Sequence, residues 1–334
     1  MPELRKDPIV DRWVIIARER GKRPQDFPSP TVNAQAGFCP FCQGNETKTP
    51  QEILAVRPNG APPDSPGWSL RVVPNKYPAL MIEGEVNRVG EGMFDKMNGV
   101  GAHEIVIEGP CHEPVLEELP DKSIQDTLWA FQQRITDLKR DSRLRYIVVF
   151  KNHGEAAGAT LEHTHSQLIA LPIVPELVLE EIAGARRHYQ YKERCIFCDI
   201  IAQERGDGRR IVTENNDFIA LCPYAPRFPF ETWILPKYHR AHFEIDSMQC
   251  MAGAANILKD VLLKLRIACN QPPYNFVLHN CTVNGEHDAY FHWHIEIMPK
   301  LTKLAGFEEG TGFHINPVSP EEAAEILRSC NVHP

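Results

Sequence analysis

The sequence predicts an α+β protein of two tandem modules, each an antiparallel sheet with helices packed on one side. Two observations carry this: the chain repeats itself, and each repeat sets one long amphipathic helix among short apolar runs. The length agrees, since 334 residues, 43% of them hydrophobic, suffice for two ordinary domains that each bury a core. We place the modules at residues 1–178 and 179–334, joined near Pro172 to Tyr191, where prolines precede an acidic helical stretch.

The repeat pairs five segments in the same order. Cys39-Pro40-Phe41-Cys42 answers Cys195-Ile196-Phe197-Cys198, and Asn75 to Leu80 answers Asn216 to Leu221. Glu104 precedes His112 as Glu231 precedes His239, each stretch reading as a strand. Tyr146 to Asn152 then matches Tyr274 to Asn280, and an HxH follows each: His163-Thr164-His165 and His292-Trp293-His294. Between the matched strands lie helices, Ser123 to Lys139 with Ile124, Leu128, Phe131, Ile135 and Leu138 on one face, and Met248 to Arg266 with Met251, Ala255, Leu258 and Leu262. A last helix starts with Ser319 as N-cap, Pro320 at the first helical position and Glu322 closing a capping box. The proline-rich stretches 22–30 and 58–66 read as loops.

Composition narrows the function. The net charge is −8, with no block of like charges, so neither nucleic acid nor an anionic membrane is an expected partner. The charged start Met1-Pro2-Glu3-Leu4-Arg5-Lys6 lacks the apolar core of a signal peptide, and no apolar run has the length of a membrane span. A cytoplasmic location and a small-molecule substrate are expected. Ten cysteines in that compartment point to metal sites or buried thiols rather than disulfides.

Each module joins a CxxC, a histidine after a strand and an HxH. A lone CxxC is as easily two packed thiols or a redox pair, but its recurrence with matched histidines favours two tetrahedral Cys2His2 sets suited to zinc. The first is Cys39, Cys42, His112 and His163; the second is Cys195, Cys198, His239 and His292. A degenerate copy that only packs its thiols is the alternative. His294 competes with His292, because period two sends both to one face, and analogy with His163 favours His292. Two zinc ions per chain are expected, both structural, with iron as an alternative at the second set.

Chemistry concentrates between Asn152 and Gln167, where a loop of small residues feeds a strand carrying two histidines. Glycine and alanine let backbone N–H groups approach an anion, Thr160 adds a hydroxyl and Gln167 an amide, as a transferring phosphoryl group requires. With His163 on a metal, His165 is held rigidly with a ring nitrogen free to attack phosphorus. The competing reading is a second ligand or core histidine. Arg20, Lys22 and Arg23 form a basic cluster that, on charge alone, is an ordinary solvated turn.

His163-Thr164-His165-Ser166-Gln167 resembles the active-site His-X-His-X-Gln of the galactose-1-phosphate uridylyltransferase family, in the histidine-triad superfamily. Arg12-Trp13-Val14-Ile15, Lys22-Arg23-Pro24, the first CxxC, Asn75, Asn152 and Gly306-Phe307-Glu308 extend the likeness nearly end to end. The resemblance implies two histidine-triad-like modules and a ping-pong reaction, in which His165 takes a nucleoside monophosphate from a nucleotide sugar and passes it to a sugar 1-phosphate. It implies that Gln167 and Thr160 hold the transferring group, that Arg20, Arg23, Asn75 and Asn152 hold the nucleotide, and that Glu308 contacts hexose hydroxyls. It also implies a homodimer in which the C-terminal segment of one subunit completes the other's site.

Departures bear on the substrate. Thr164 stands where the family has proline, Thr160 where it has serine, His314 where a glutamine follows the hexose-binding glutamate, and Lys76-Tyr77 where many members have Asp-Phe. These, the second CxxC and Phe307 to Gly312 also resemble the plant-type ADP-glucose phosphorylase. Three readings follow: uridylyl exchange between UDP-glucose and galactose 1-phosphate as the leading one, phosphorolysis of ADP-glucose, and a non-catalytic zinc-binding interaction module.

Overall fold

The computed structural model describes residues 1–20, 37–112 and 115–332. In chain order its elements are β1 (Glu3–Lys6), β2 (Trp13–Ile16), β3 (Leu54–Val56), β4 (Leu70–Pro74), β5 (Val89–Glu91), β6 (Phe94–Lys96) and β7 (Ala102–Ile107), then α1 (Asp121–Leu138), β8 (Tyr146–His153) and β9 (His165–Leu171). There follow α2 (Glu176–Lys192), α3 (Ile196–Asp207), β10 (Ile211–Glu214), β11 (Phe218–Leu221), β12 (Thr232–Pro236), α4 (Met248–Ala268), β13 (Tyr274–His279) and β14 (His294–Pro299). The chain closes with α5 (Gly306–Thr311), β15 (His314–Asn316) and α6 (Pro320–Ser329).

The duplicated strands do not form two separate sheets. They merge into one ten-stranded antiparallel sheet of order β10-β11-β12-β14-β13-β8-β9-β7-β4-β3. The seam is the β8–β13 pair, where Val149 faces Leu278 and Phe150 faces Val277. Because Tyr146 corresponds to Tyr274, this register maps onto itself when the halves are exchanged, so a local two-fold axis runs through the seam. Two strands that would each expose an edge thereby satisfy one another's backbone groups.

The faces expected for α1 and α4 are the ones buried: Ile124, Leu128, Phe131, Ile135 and Leu138 meet Met251, Ala255, Leu258 and Leu262 in one core spanning both halves. On the opposite sheet face, α2 and α3 cover β11 and β12 through Ala185, Ile196, Phe197 and Ile201. The same face of the first half is covered instead by the segment carrying Cys39 and Phe41, packed on Val73, Ile105 and Ile107. That lighter cover leaves room for a site. At the C-terminal helix, Ser319 caps α6 by accepting from the Glu322 N–H. Among the described residues, no helix is long and apolar enough to cross a membrane.

One expected equivalence is corrected. Val106 stands to Glu104 as Trp233 stands to Glu231; Val72 pairs with Val106 and Leu221 with Trp233, so β4 is the counterpart of β11 and Asn75 matches Tyr224. An asparagine-led turn stands at each place, led by Asn75 in one and by Asn215, the residue before the matched Asn216, in the other. Asn75 Oδ1 accepts from the Tyr77 N–H after β4, whereas Asn215 Oδ1 accepts from Asp217 and Phe218 before β11. Asparagine side chains initiate both turns, at opposite ends of matching strands.

The chain ends also cross the expected division. β1 and β2 pair with each other and β2 with β15, while Ile9 packs among Ala185, Phe197 and Trp233 of the second half. Gly184 permits this approach: a Cβ there would stand 1.7 Å from the Ile9 carbonyl oxygen.

Candidate active site

The sheet face under the Cys39 segment gathers the expected chemistry. Cys39, Cys42, His112 and His163 bring their ligand atoms within 4.8 Å of one another, as do Cys195, Cys198, His239 and His292. His163 Nδ1 lies 3.6 Å from both Cys39 Sγ and Cys42 Sγ, and His112 Nδ1 3.8 Å from Cys42 Sγ. In the second set His292 Nδ1 is 3.9 and 3.6 Å from Cys195 and Cys198, and His239 Nδ1 3.7 Å from Cys198. A tetrahedral zinc with bonds of about 2.3 Å to sulfur and about 2.0 Å to nitrogen separates these atoms by about 3.5 Å, so both sets fit such an ion.

Tautomers agree with that fit. Nε2–H groups of His163, His292 and His239 donate to the carbonyls of Gly109, Pro236 and Asp288 at 2.8, 3.0 and 2.7 Å, which leaves each Nδ1 lone pair facing thiols. The Cys198 thiol is drawn far down, first by the hydrogen bond from Cys195 and then by His239 and His292, as suits a sulfur that carries charge. His292, not His294, is the imidazole at the second pair of cysteines.

A further cluster escaped the sequence reading. Glu181, His279 and His294 also bring ligand atoms together, and Glu181 Oε1 and His279 Nε2 are buried without hydrogen bonds. Burial opposes protonation of His279, but the carboxylates of Glu181 and Glu296 overcome it and push its pKa up to about 10. Glu181 lies on α2, far in sequence from the strand histidines, and no local pattern announces it.

His165 begins β9 and is 6% exposed. Its Nδ1–H donates to the His163 carbonyl at 2.7 Å, so its lone pair is at Nε2, which makes no hydrogen bond among the described residues. Phe41 meets the ring edge-on at 5.3 Å. Burial and then the Lys151 ammonium hold the imidazole below its ordinary pKa, and it is neutral near physiological pH. Beneath it lies an ion pair that sequence inspection missed: Lys151 Nζ donates to Glu108 at 2.6 Å, Thr164 Oγ1 at 2.9 Å and the His165 carbonyl at 2.9 Å. Ser166 donates to the other Glu108 oxygen. Thr164 therefore has a definite task in a strand anchored by a buried, fully paired charge.

The His294 ring repeats this geometry, donating from Nδ1 to the His292 carbonyl at 3.1 Å. It is closed off, stacked on His279 at 4.4 Å and covered by Phe197 and Trp233. His165 has no such cover of rings beyond Phe41 among the described residues.

The small-residue loop is partly as expected. Gly154 and Gly158 adopt φ of 80° and 86°, flanking a single 3-10 turn over Glu155–Ala157. The N–H groups of Ala157, Gly158 and Ala159, however, bond to Gly154 and Glu155 carbonyls within the loop. They are committed to the turn and are not free to meet an anion. Asn152 accepts from Asn275 Nδ2 at 2.8 Å, and the same Asn275 nitrogen donates to the Ala157 carbonyl at 2.8 Å. Gln167 Oε1 lies 2.8 Å from His103 Nε2, which is also 3.1 Å from Asn75 Nδ2.

No hydrogen bond links the other expected residues to the His165 strand among the described residues. Arg20 ends a 3-10 turn at Arg18–Arg20, and Arg23 lies outside the described residues. Glu308 is on α5, where Oε2 accepts from the Ala305 N–H, and its charge acts on His314. None of its hydrogen bonds reaches the His165 strand.

The comparisons with known proteins fit this geometry. The model for the galactose-1-phosphate uridyl transferase N-terminal domain matches residues 1–175, and a domain of unknown function matches residues 125–330. An ADP-glucose phosphorylase of Arabidopsis thaliana is 37% identical over 99% of this chain and 93% of its own. A galactose-1-phosphate uridylyltransferase of Thermotoga maritima is 33% identical over 99% of both. The crystal structure of an Arabidopsis thaliana ADP-glucose phosphorylase with bound ADP-glucose superposes with a TM-score of 0.85 at 36% identity, covering 100% of both chains. A uridylyltransferase structure gives 0.76 at 28% identity, covering 98% of both. With a repeated fold, paired Cys2His2 sets and likeness over its whole length, the chain belongs to the galactose-1-phosphate uridylyltransferase family of nucleotidyltransferases.

Proposed function

We propose that the chain transfers a nucleoside monophosphate by ping-pong through nucleotidyl-His165. The carrying observation is the locked His165 tautomer, which leaves Nε2 as a lone pair on a rigid strand beside the loop. In the first step Nε2 attacks the α-phosphorus of a nucleotide sugar, and the bond to the sugar 1-phosphate breaks. In the second, a different sugar 1-phosphate or inorganic phosphate attacks, and the P–N bond breaks.

Gln167 and Thr160 are the donors on the transferring group, while Arg20, Arg23, Asn75 and Asn152 bind the nucleotide. Glu308 would reach hexose hydroxyls from the second subunit of a homodimer, as the family resemblance implies. Zinc would be held by Cys39, Cys42, His112 and His163, and by Cys195, Cys198, His239 and His292, where it supplies cross-linking. If iron is bound, the nitrogen and oxygen donors of Glu181, His279 and His294 suit it better than the second cysteine set. The third reading, an interaction module without catalysis, loses support from an Nε2 that makes no hydrogen bond among the described residues and lies outside the Cys2His2 set.

For Gln167→Ala, the loss of a donor aimed at developing charge should cost about 2.7–4 kcal/mol of barrier. Turnover is expected to fall about a hundredfold or more while the dissociation constant for the nucleotide sugar changes little. Unchanged turnover removes Gln167 from the site.

On the donor, uridylyl exchange between UDP-glucose and galactose 1-phosphate is the reading that Glu308 and the resemblance to the uridylyltransferase family support, while Lys76 and His314 point to the adenylyl alternative. Phosphorolysis of ADP-glucose is the second, favoured by the 37% identity and 0.85 TM-score against 33% and 0.76 for uridylyltransferases. Incubation with each nucleotide sugar alone should give an intact-mass increase of one nucleoside monophosphate, and the base found decides between them. Initial rates with galactose 1-phosphate and with phosphate then identify the acceptor. No increase with either donor defeats both readings.

A further inference from the structure

His103 was assigned no role by the sequence reading, yet it joins two expected site residues that are otherwise unconnected. It lies on β7, two residues before Ile105, which pairs with Gln167 on β9, so His103 and Gln167 share a sheet face. Its Nδ1 accepts from the Ala79 N–H at 3.1 Å, and its backbone carbonyl accepts from the Asn75 N–H at 2.8 Å. A ring that accepts at Nδ1 must carry its proton at Nε2, and that nitrogen donates to Gln167 Oε1 at 2.8 Å; Asn75 Nδ2, 3.1 Å away, is itself a donor because Asn75 Oδ1 accepts from the Tyr77 N–H, so it makes no hydrogen bond to the ring and leaves the proton to Gln167. The glutamine amide is thus oriented by its neighbour, since only its oxygen can accept from that N–H. Its own NH2 group makes no hydrogen bond among the described residues and remains available to an anion.

We propose that His103 is a positioning residue for nucleotidyl transfer: its Nε2–H holds the Gln167 oxygen so that the Gln167 NH2, not its carbonyl, faces the group carried by His165. This rests on the reading of Gln167 as a donor to that group. An unrestrained glutamine can rotate by half a turn and present oxygen to a phosphoryl group, replacing attraction by repulsion. The turn from Asn75 to Ala79, which seats Nδ1, therefore sets the polarity of a side chain across two strands.

The test follows formation of the nucleotidyl adduct in a single turnover by intact mass, using UDP-glucose and ADP-glucose, with the dissociation constant measured alongside. The full-length wild type is compared with His103→Ala, His103→Gln, Gln167→Ala and the double variant His103→Ala/Gln167→Ala. His103→Ala is expected to slow adduct formation by about tenfold to a hundredfold, with binding changed less than about threefold. His103→Gln, whose amide can accept from Ala79 and donate to Gln167, should recover most of the rate. The double variant should be no slower than Gln167→Ala, because the histidine acts only through the glutamine.

Multiplication of the two single effects, or a wild-type rate for His103→Ala, overturns the proposal. If His103→Ala does not fold, His103→Asn serves instead, being too short to span both partners; it should be slow, and a wild-type rate counts against us. If Gln167→Ala keeps the wild-type rate, or the wild type forms no adduct, the reading of the site fails and takes this proposal with it. A slow Gln167→Ala beside an unaffected His103→Ala defeats the proposal alone.

Discussion

His165→Gly is expected to form no nucleotidyl adduct and to lose on the order of 10⁴-fold or more of turnover, as when a covalent nucleophile is removed from a serine hydrolase. The variant should still fold, because what it deletes is one ring, the Nδ1–H bond to the His163 carbonyl and the edge contact with Phe41. The Lys151–Glu108 pair that anchors the strand holds the main-chain carbonyl at this position and does not need the imidazole. The space left by the ring opens beside the loop, so added imidazole should be nucleotidylated in its place and restore part of the turnover. Peptide mapping of trapped wild-type enzyme checks the assignment. A nucleoside monophosphate on His163 or on no histidine rejects it, since His163 has one nitrogen on the Gly109 carbonyl and the other facing two thiols.

Cys39→Ser should remove one metal equivalent by elemental analysis and lower stability by roughly 3–5 kcal/mol, read as a fall in melting temperature. The four ligands come from the CxxC segment, the loop after β7 and the start of β9, and those pieces lose their cross-link together. Nucleotide affinity should fall least and adduct formation moderately, because His163 both faces the thiols and supplies the carbonyl that orients His165. Metal content below one ion per chain in wild-type protein purified without chelator would sink the metal reading. A Cys39→Ser enzyme that melts like wild type but forms no adduct would show that this site is not structural.

Much of this was legible because duplication writes the architecture twice. The two CxxC pairs, the two HxH strands and the faces of α1 and α4 could be aligned without coordinates, and it is His292 rather than His294 whose ring faces the second pair of thiols. What stayed hidden depends on pairing between distant strands. Lys151 and Glu108 look like ordinary strand residues until β7, β8 and β9 lie side by side, and His103 acquires meaning only beside Gln167 and Ala79. The misplaced equivalence of Asn75 had a local cause, an asparagine-led turn imitating a shared strand. The loop was misread in one respect, because composition shows that backbone can approach an anion but not that three N–H groups are already spent on a turn.

The seam between the halves makes the duplication unequal. Asn275, on the second copy, reaches across to Asn152 and to the Ala157 carbonyl of the first copy's loop. Exchange of the halves about the seam turns Asn275 into Ile147, which has no amide, so nothing reciprocates. The second copy is thus a buttress for the first copy's loop. On the proposed function, an isolated first half would keep His165, Thr160 and Gln167 yet lack the wall its loop leans on.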